Sequence, residues 1–158
     1  MGLYPGLLAA LGVFALDQGS KLGVMYGLDL LTVRNMDVLP PFLVFRMGWN
    51  TGINFGLLDL GPEAGRWILI GLSVVISLAL LWWLRSSTSL RQSLALGAII
   101  GGALGNALDR VVYGAVADFL NMSCCGINNP FVFNVADIGI FLGVIVLVIW
   151  PERDAKGA

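Results

Sequence analysis

Residues 67–84 have the sequence WILIGLSVVISLALLWWL, which contains no charged side chain. An α-helix needs roughly 20 mostly apolar residues to cross the hydrocarbon core of a bilayer. The two tryptophans near the end of the stretch, followed by Arg85, are typical of an anchor at the membrane interface. The stretch therefore predicts a transmembrane helix at about residues 67–84.

Three more apolar segments lie at about residues 3–26, 93–112 and 135–150. The whole chain of 158 residues is 58% hydrophobic and only 12% charged, with a mean hydropathy of +0.87. An average soluble domain is about half apolar and about a quarter charged. We therefore expect an all-α integral membrane protein with four transmembrane helices, forming a single membrane domain over residues 1–158. The first segment lacks a basic leader, so we interpret it as a retained span and not a cleaved signal peptide.

The connection between the first two predicted helices is long, at about residues 27–65. It contains Pro40, Pro41 and the alternating run FLVFRMGWN at residues 42–50, which could form a strand. Because open sheet edges are not tolerated in lipid, such a strand must lie in water, at the interface or against protein.

The composition excludes several classes of function. The net charge is −1 and no basic tract is present, so nothing indicates a nucleic-acid partner. The chain has no histidine, which removes Ser-His and Cys-His nucleophiles and histidine-containing zinc sites. Cys124 and Cys125 are adjacent, and we interpret them as filling space in a loop. We expect no metal and no cofactor.

Polar residues collect on one side of the predicted bundle. In four antiparallel helices, the first and third connections share one face of the membrane. That face receives most of the polar residues in and near the spans, namely Asp17, Lys21, Asn50, Asn106, Asp109, Arg110, Asp118, Asn134 and Asp137. The opposite face has a short Ser/Arg loop and the termini, with four basic residues that favour the cytoplasm. Because the first face also carries basic residues, the preference for placing the opposite face in the cytoplasm is weak.

Three carboxylates, Asp17, Asp109 and Asp137, lie within or beside apolar segments, where ionisable groups are costly and often functional. Asp17 and Lys21 are four residues apart on one helical face, and we favour a structural ion pair over catalysis for them. Asp109 could pair with a cation on a neighbouring span or cap a local backbone group. Asn106 precedes Asp109 by three residues, as Asn134 precedes Asp137, so each amide could orient the carboxylate that follows it.

Asp118 and Asp137 have no basic residue within four positions. Two carboxylates brought together cannot both ionise cheaply, so the pair shares a proton. An aspartic protease uses such a dyad, in which the ionised member activates water and the protonated member donates to the scissile carbonyl. This is the most economical hydrolytic machinery in the chain.

Glycines recur at helical spacing, which predicts close helix packing in lipid rather than ligand binding. These are Gly19, Gly23 and Gly27 in the first segment, Gly97, Gly101 and Gly105 in the third, and Gly139 and Gly143 in the fourth.

Two other classes of function stay open at this point. One is a small proton- or ion-coupled transporter with Asp17, Asp109 and Asp137 as a relay, although transport sites tend to lie near the midplane between repeats. The other is a packing module whose carboxylates only tie helices together.

Four ordered motifs resemble lipoprotein signal peptidase, the type II signal peptidase of bacteria, along nearly the whole chain. DQGSK at residues 17–21 is similar to D-Q-x-S/T-K, and NTGINFG at residues 50–56 is similar to N-x-G-A-A-F-S/G. GGALGNALDRVVYGAVADFLN at residues 101–121 is close to G-N-x-x-D-R followed by V-x-D-F, and FNVAD at residues 133–137 matches F-N-x-A-D. Ile53 and Asn54 replace the usual pair of small residues, which affects the shape of the pocket wall.

The resemblance implies a four-helix aspartyl endopeptidase of the bacterial cytoplasmic membrane, with its active site at the periplasmic face. It implies a small periplasmic β-sheet and an amphipathic segment between helices 1 and 2. The substrates implied are prolipoproteins, cleaved before a diacylglyceryl-modified cysteine. Membrane lipids and globomycin-type inhibitors are the other expected partners. The enzyme is expected to be a monomer. The motifs carry over Asp118 and Asp137 as the catalytic pair, surrounded by Asn106, Asp109, Arg110 and Asn134, with Asp17, Lys21, Asn50 and Gly52 shaping or supporting the substrate pocket.

Overall fold

The computed structural model describes residues 2–52, 61–124 and 129–151. These residues form five α-helices, one π-helical turn and three strands. In chain order they are α1 (Leu3–Leu22, continued by the π-helical turn Gly23–Gly27), α2 (Leu30–Val33), β1 (Asn35–Leu39), β2 (Leu43–Asn50), α3 (Gly61–Ser86), α4 (Leu90–Tyr113), β3 (Val116–Met122) and α5 (Val135–Ile149).

A helix lies at each of the four apolar segments. Among the described residues, three helices are long and apolar enough to cross a membrane, and they include α1, α3 and α4. The fourth, α5, has 15 residues, a length of about 22 Å, so the count of four spans stays a prediction. Helix α3 begins at Gly61. Residues 61–65, which were predicted to belong to the preceding connection, are therefore part of the helix.

Helix α4 is the centre of the bundle, because it packs against α1, α3 and α5. Its glycines allow this. A methyl group on Gly97 or Gly101 would overlap a carbonyl oxygen of α1, which confirms their predicted packing role. Gly105, Gly139 and Gly143 also face neighbouring elements closely. The prediction is wrong for Gly19, Gly23 and Gly27, since a methyl group there would meet nothing within 4 Å.

The strands form an antiparallel sheet in the order β1-β2-β3. The predicted strand at residues 42–50 is confirmed as β2. The third strand, however, lies between α4 and α5. The expectation that the first connection alone supplies the sheet is therefore wrong. This matters for the site, because β3 carries Asp118, which pairs in register with Gly48 of β2.

Large apolar side chains point away from the protein along the long helices. Leu8, Val75, Trp82 and Val148 are each at least 60% exposed. Burying such faces in lipid is favourable, as expected for helices that contact a bilayer. Several predictions fall outside the described residues: the part of the amphipathic segment at residues 53–60, which includes Ile53 and Asn54, the role of Cys125, and the basic tail residues Arg153 and Lys156.

Candidate active site

Asp118 lies in the middle of β3 with its side chain 1% exposed. Both carboxylate oxygens accept hydrogen bonds from amides. Asn134 Nδ2 donates to Oδ1 at 2.6 Å, and Asn50 Nδ2 donates to Oδ2 at 3.1 Å. The carboxyl group is thus held by residues from β2 and from the start of α5.

Asp137 lies in the first turn of α5 and takes part in a capping box with Asn134. The Asn134 side chain accepts from the Asp137 backbone N–H at 2.9 Å, and Asp137 Oδ2 accepts from the Asn134 backbone N–H at 3.2 Å. This reciprocal pattern satisfies two backbone donors at the helix N-terminus. The positive end of the helix dipole also favours a negative charge here.

Asn134 connects the two aspartates, because its side chain contacts Asp118 while its backbone contacts Asp137. Asn106 completes the arrangement: its Nδ2 donates to Asp137 Oδ1 at 2.9 Å, and its Oδ1 accepts from Asn134 Nδ2 at 3.1 Å. The predicted contact between Asn134 and Asp137 is confirmed. The predicted partner of Asn106 is wrong, since Asn106 orients Asp137 and not Asp109.

The surroundings of Asp118 favour its protonated form. Burial raises the pKa of Asp118 to about 6, and the negative charge of Asp137 acts in the same direction. The amide hydrogen bonds from Asn50 and Asn134, and the charge of Lys21, oppose this rise. The two carboxyl groups are therefore electrostatically coupled, although they come from different elements of the fold.

Asp17, Lys21 and Asp109 form a separate buried cluster. Lys21 Nζ lies 2.7 Å from Asp17 Oδ2 and 2.7 Å from Asp109 Oδ2. The expected ion pair of Asp17 with Lys21 is therefore confirmed, as is the expectation that Asp109 pairs with a cation from another helix. Sequence analysis missed Gln18, whose Nε2 donates to both carboxylates, at 3.0 Å to Asp17 and 2.9 Å to Asp109. Its position as a polar side chain in an apolar segment was the available signal.

Arg110 lies at the end of α4, close enough to feel the charges of Asp118, Asp137 and Asp109. Its Nη1 donates to the Asn106 carbonyl at 3.2 Å, and its Nε is a buried donor with no hydrogen-bond partner among the residues that the structure describes. Gly52 has φ of 80°, and a methyl group on it would lie 3.3 Å from Arg110 Nη2. All ten predicted site residues thus lie at the same end of the bundle. Asp17, Lys21 and Asp109 form one group, and the residues around Asp118 and Asp137 form the other.

An apolar groove of about 530 Å³ opens beside Asp137. Its walls are side chains from the start and outer face of α5, namely Phe133, Ile138, Ile140, Phe141, Leu142 and Val144. Among the described residues, no group of three or more Asp, Glu, Cys or His side chains is arranged to hold a metal ion. The arrangement offers two coupled carboxyl groups at the edge of an apolar surface, a geometry suited to acid–base activation of water.

A family model described as signal peptidase II matches residues 9–151 of the chain. The chain belongs to the signal peptidase II family. Membership in this protease family favours a peptidase over the transporter and the packing module considered from sequence.

Curated relatives agree with the signal peptidase II assignment. A lipoprotein signal peptidase of Methylorubrum extorquens (strain PA1) is 42% identical over 153 residues, which are 97% of this chain and 88% of that protein. A lipoprotein signal peptidase of Methylobacterium sp. (strain 4-46) is 43% identical over 156 residues, which are 97% of this chain and 93% of that protein.

Solved structures extend the likeness to the fold. The structure of a bacterial membrane enzyme superposes with a TM-score of 0.77 at 28% identity, covering 95% of this chain and 94% of that chain. Another bacterial membrane enzyme gives a TM-score of 0.72 at 25% identity, with 97% and 94% covered. Together with the exposed apolar helices, these similarities establish a mostly helical membrane protein with a small antiparallel sheet.

Proposed function

We propose that this chain is an aspartyl endopeptidase that removes signal peptides from prolipoproteins, cleaving just before a diacylglyceryl-modified cysteine. The observation that carries the proposal is the coupling of Asp118 and Asp137 through Asn134 at the edge of an apolar groove. Relatives named lipoprotein signal peptidase support the substrate class.

The roles proposed for the two carboxyl groups start from the surroundings of Asp118. Asp118 is buried and has a raised pKa of about 6, so it is the member that keeps the proton. Asp137 lies in the first turn of α5, where its carboxyl group accepts hydrogen bonds from the Asn134 backbone N–H and the Asn106 side-chain amide. In this proposal Asp137 is the general base and Asp118 the general acid.

The reaction follows from these roles. Asp137 takes a proton from a water molecule while the water oxygen forms a bond to the scissile carbonyl carbon, and Asp118 donates its proton to the carbonyl oxygen. The tetrahedral intermediate then collapses. Its hydroxyl returns a proton to Asp118, the C–N bond breaks, and the amine of the lipidated cysteine takes the proton held by Asp137. No acyl-enzyme forms, and both carboxyl groups return to their starting states.

The groove and Arg110 give the substrate two kinds of contact. The apolar wall of α5 suits an acyl chain or an apolar peptide segment beside the reacting bond. Arg110 Nε, which has no partner within the described part of the chain, is a donor for a carbonyl oxygen of the bound substrate. A methyl group on Gly52 would lie 3.3 Å from Arg110 Nη2, so glycine at this position leaves the guanidinium group unobstructed on that side.

The resemblance to the family extends the proposal to location and partners. We place the protein in the bacterial cytoplasmic membrane as a monomer of four spans, with both termini cytoplasmic and the catalytic pair at the periplasmic face. Globomycin-type cyclic peptides are the expected inhibitors, because inhibition by such peptides is expected of the family that the chain resembles.

A pair of substrates tests the proposed function. The purified protein in detergent is incubated with one prolipoprotein in two forms, with and without the diacylglyceryl group on its cysteine. We expect cleavage only of the lipidated form, immediately before the cysteine, as seen by mass spectrometry. Cleavage of both forms at equal rates would contradict the substrate class, and proton flux in proteoliposomes without cleavage would contradict the enzyme class.

A further inference from the structure

Lys21 is a buried cation that the proposed chemistry does not use. Its side chain is 2% exposed, and it lies between Asp17 of α1 and Asp109 of α4, which are both fully buried. Each carboxylate is 2.7 Å from the ammonium nitrogen. Without this charge, two anions would share one apolar space, which is strongly unfavourable.

The two carboxylates also hold the backbone beside each candidate catalytic residue. Asp109 Oδ2 accepts from the backbone N–H of Ala117, at 3.0 Å, and Ala117 directly precedes Asp118. Asp17 Oδ1 accepts from the backbone N–H of Ala136, at 2.9 Å, and Ala136 directly precedes Asp137. Ala117 and Ala136 are both fully buried. One ammonium group is thus connected, through matching pairs of contacts, to β3 and to α5.

We propose that Lys21 is a positioning residue that sets the separation of Asp118 and Asp137 by fixing the two carboxylates that hold Ala117 and Ala136. This inference rests on the proposed function, because it assigns a role in the same reaction. The Lys21 ammonium group holds both carboxylates in one orientation, and their hydrogen bonds fix β3 relative to α5. Gln18 supports the arrangement by donating to both carboxylates.

Removing the charge changes this geometry in a defined way. In a Lys21→Met variant, Asp17 and Asp109 lose the cation that lies between them, and at least one of them turns away from its backbone partner. The strand or the helix then shifts, and the dyad is misplaced. Because a displacement of about 1 Å from the reacting geometry costs about 100-fold in rate, we expect the loss in kcat. The groove does not contact Lys21, so KM changes by less than about twofold.

The test measures kcat and KM for a lipidated prolipoprotein, together with amide hydrogen exchange and the thermal midpoint. Lys21→Met should lower kcat by about 100-fold with KM nearly unchanged. Amide exchange should accelerate at residues 116–118 and 135–137 and stay close to that of the original protein elsewhere. Lys21→Arg, which keeps the charge, should recover part of kcat. Arg85→Met is the matched control, because it removes an exposed charge far from the cluster.

Three results would overturn the inference: a folded Lys21→Met protein with an unchanged kcat, a loss expressed only in KM, or faster exchange throughout the chain. If Lys21→Met does not fold, Asp109→Ala is judged by the same criteria, since it removes the oxygen that accepts from the Ala117 N–H. If neither variant folds, the cluster is a folding determinant and the inference is wrong.

The same measurements separate this inference from the proposed function. Turnover by the Asp118→Asn protein would contradict the proposed dyad mechanism, whatever the effect of Lys21→Met. An inactive Asp118→Asn protein beside a fully active Lys21→Met protein would overturn only the positioning role. The exchange measurement needs no turnover and therefore stays informative in either case.

Discussion

At the scale of single residues, the protein connects a buried carboxyl group with a raised pKa, Asp118, to a second carboxyl group, Asp137. Asp118 lies in the sheet with its side chain buried, whereas Asp137 faces the positive end of a helix. The coupling between them comes from a single asparagine, Asn134. Because the side chain of Asn134 is fully buried and contacts Asp118, Asn106 and Asp137, its orientation is fixed by hydrogen bonds to three partners.

The raised pKa of Asp118 predicts how activity depends on pH. In the proposed mechanism Asp118 must be protonated, and it loses its proton as the pH rises through about 6. For the free enzyme, kcat/KM should therefore fall above pH 6, to about one tenth of its plateau at pH 7. Substrate that displaces water from the site raises the pKa further, so the fall in kcat should come at higher pH. A kcat/KM that increases from pH 6 to pH 8 would contradict the assignment of Asp118 as the acid.

The same pKa predicts an effect on stability. The pKa of Asp118 in the folded protein, about 6, is above its ordinary value of 3.8, so the folded state binds this proton more tightly than the unfolded state does. The stability contributed by the protonated group is complete below about pH 4 and is lost as the pH rises to about 6. Replacing Asp118 by asparagine should reduce this pH dependence of the thermal midpoint. Asp37→Asn, an exposed position on β1, should leave it unchanged.

The residues of the site were only partly predictable from sequence. Asp109 needed a cation, but spacing along the chain does not identify a partner on another helix, and Lys21 is 88 positions away in sequence. Asn106 was assigned to Asp109 because residues three apart share a helical face. The approach of α5 brings Asp137 to the same amide instead, and only the tertiary structure contains that information.

At the scale of elements, the central feature is helix α4, whose small residues let α1 and α5 approach closely. Gly97 and Gly101 meet the backbone of α1, and Gly102 meets the Ala136 carbonyl at the start of α5. The site depends on these approaches, since α1 supplies Lys21 and α5 supplies Asp137. Close packing in the apolar part of the bundle thus determines the geometry of its polar end.

A pair of glycine substitutions tests this packing. Gly101→Ala places a methyl group on the carbonyl oxygen of Ala10, and we expect a destabilisation of about 1–3 kcal/mol. Gly19→Ala is the matched control, because nothing lies within 4 Å of the added methyl group and alanine favours the helix by about 0.5–1 kcal/mol. Thermal unfolding in detergent measures both effects. Equal midpoints for the two variants would show that α1 and α4 are not closely packed at Gly101.

The elements differ in how well sequence predicts them. The helices were found because lipid requires long apolar runs, which hydropathy detects directly. Strand β3 was missed because VADFLNM is buried on both faces over most of its length, so it lacks the alternation that marks a half-exposed strand. Strand β2 alternates more visibly in sequence, and its position was predicted. For Gly19, Gly23 and Gly27, the spacing was correct for a packed face, but spacing does not show whether a neighbouring helix lies there.

At the scale of the whole molecule, the protein separates an apolar bundle from a polar end. The small sheet and the end of α4 lie with the site, whereas the loop between α3 and α4 lies at the other end of those helices. The solved bacterial membrane enzymes share the fold of this chain, with TM-scores of 0.72 and 0.77. The proposed topology places the polar end in the periplasm.

Single-cysteine labelling in intact cells tests the topology. In a background with Cys124 and Cys125 replaced by serine, an impermeant maleimide should label Asp37→Cys from outside. Ser86→Cys and Pro151→Cys should be labelled only after the membrane is permeabilised. Pro151→Cys is decisive for α5, because that helix has only 15 residues. Labelling of Pro151→Cys from outside would show that α5 does not span the bilayer.

The most direct test of the central claim is the turnover of a lipidated prolipoprotein by Asp118→Asn and Asp137→Asn proteins, beside Asp37→Asn as the matched control. The account predicts that both dyad variants fold, bind substrate and lose at least about 1,000-fold in kcat, because each removes one half of a single acid–base pair. The control should cleave at the original rate. Substantial cleavage by a folded Asp118→Asn or Asp137→Asn protein would contradict the account.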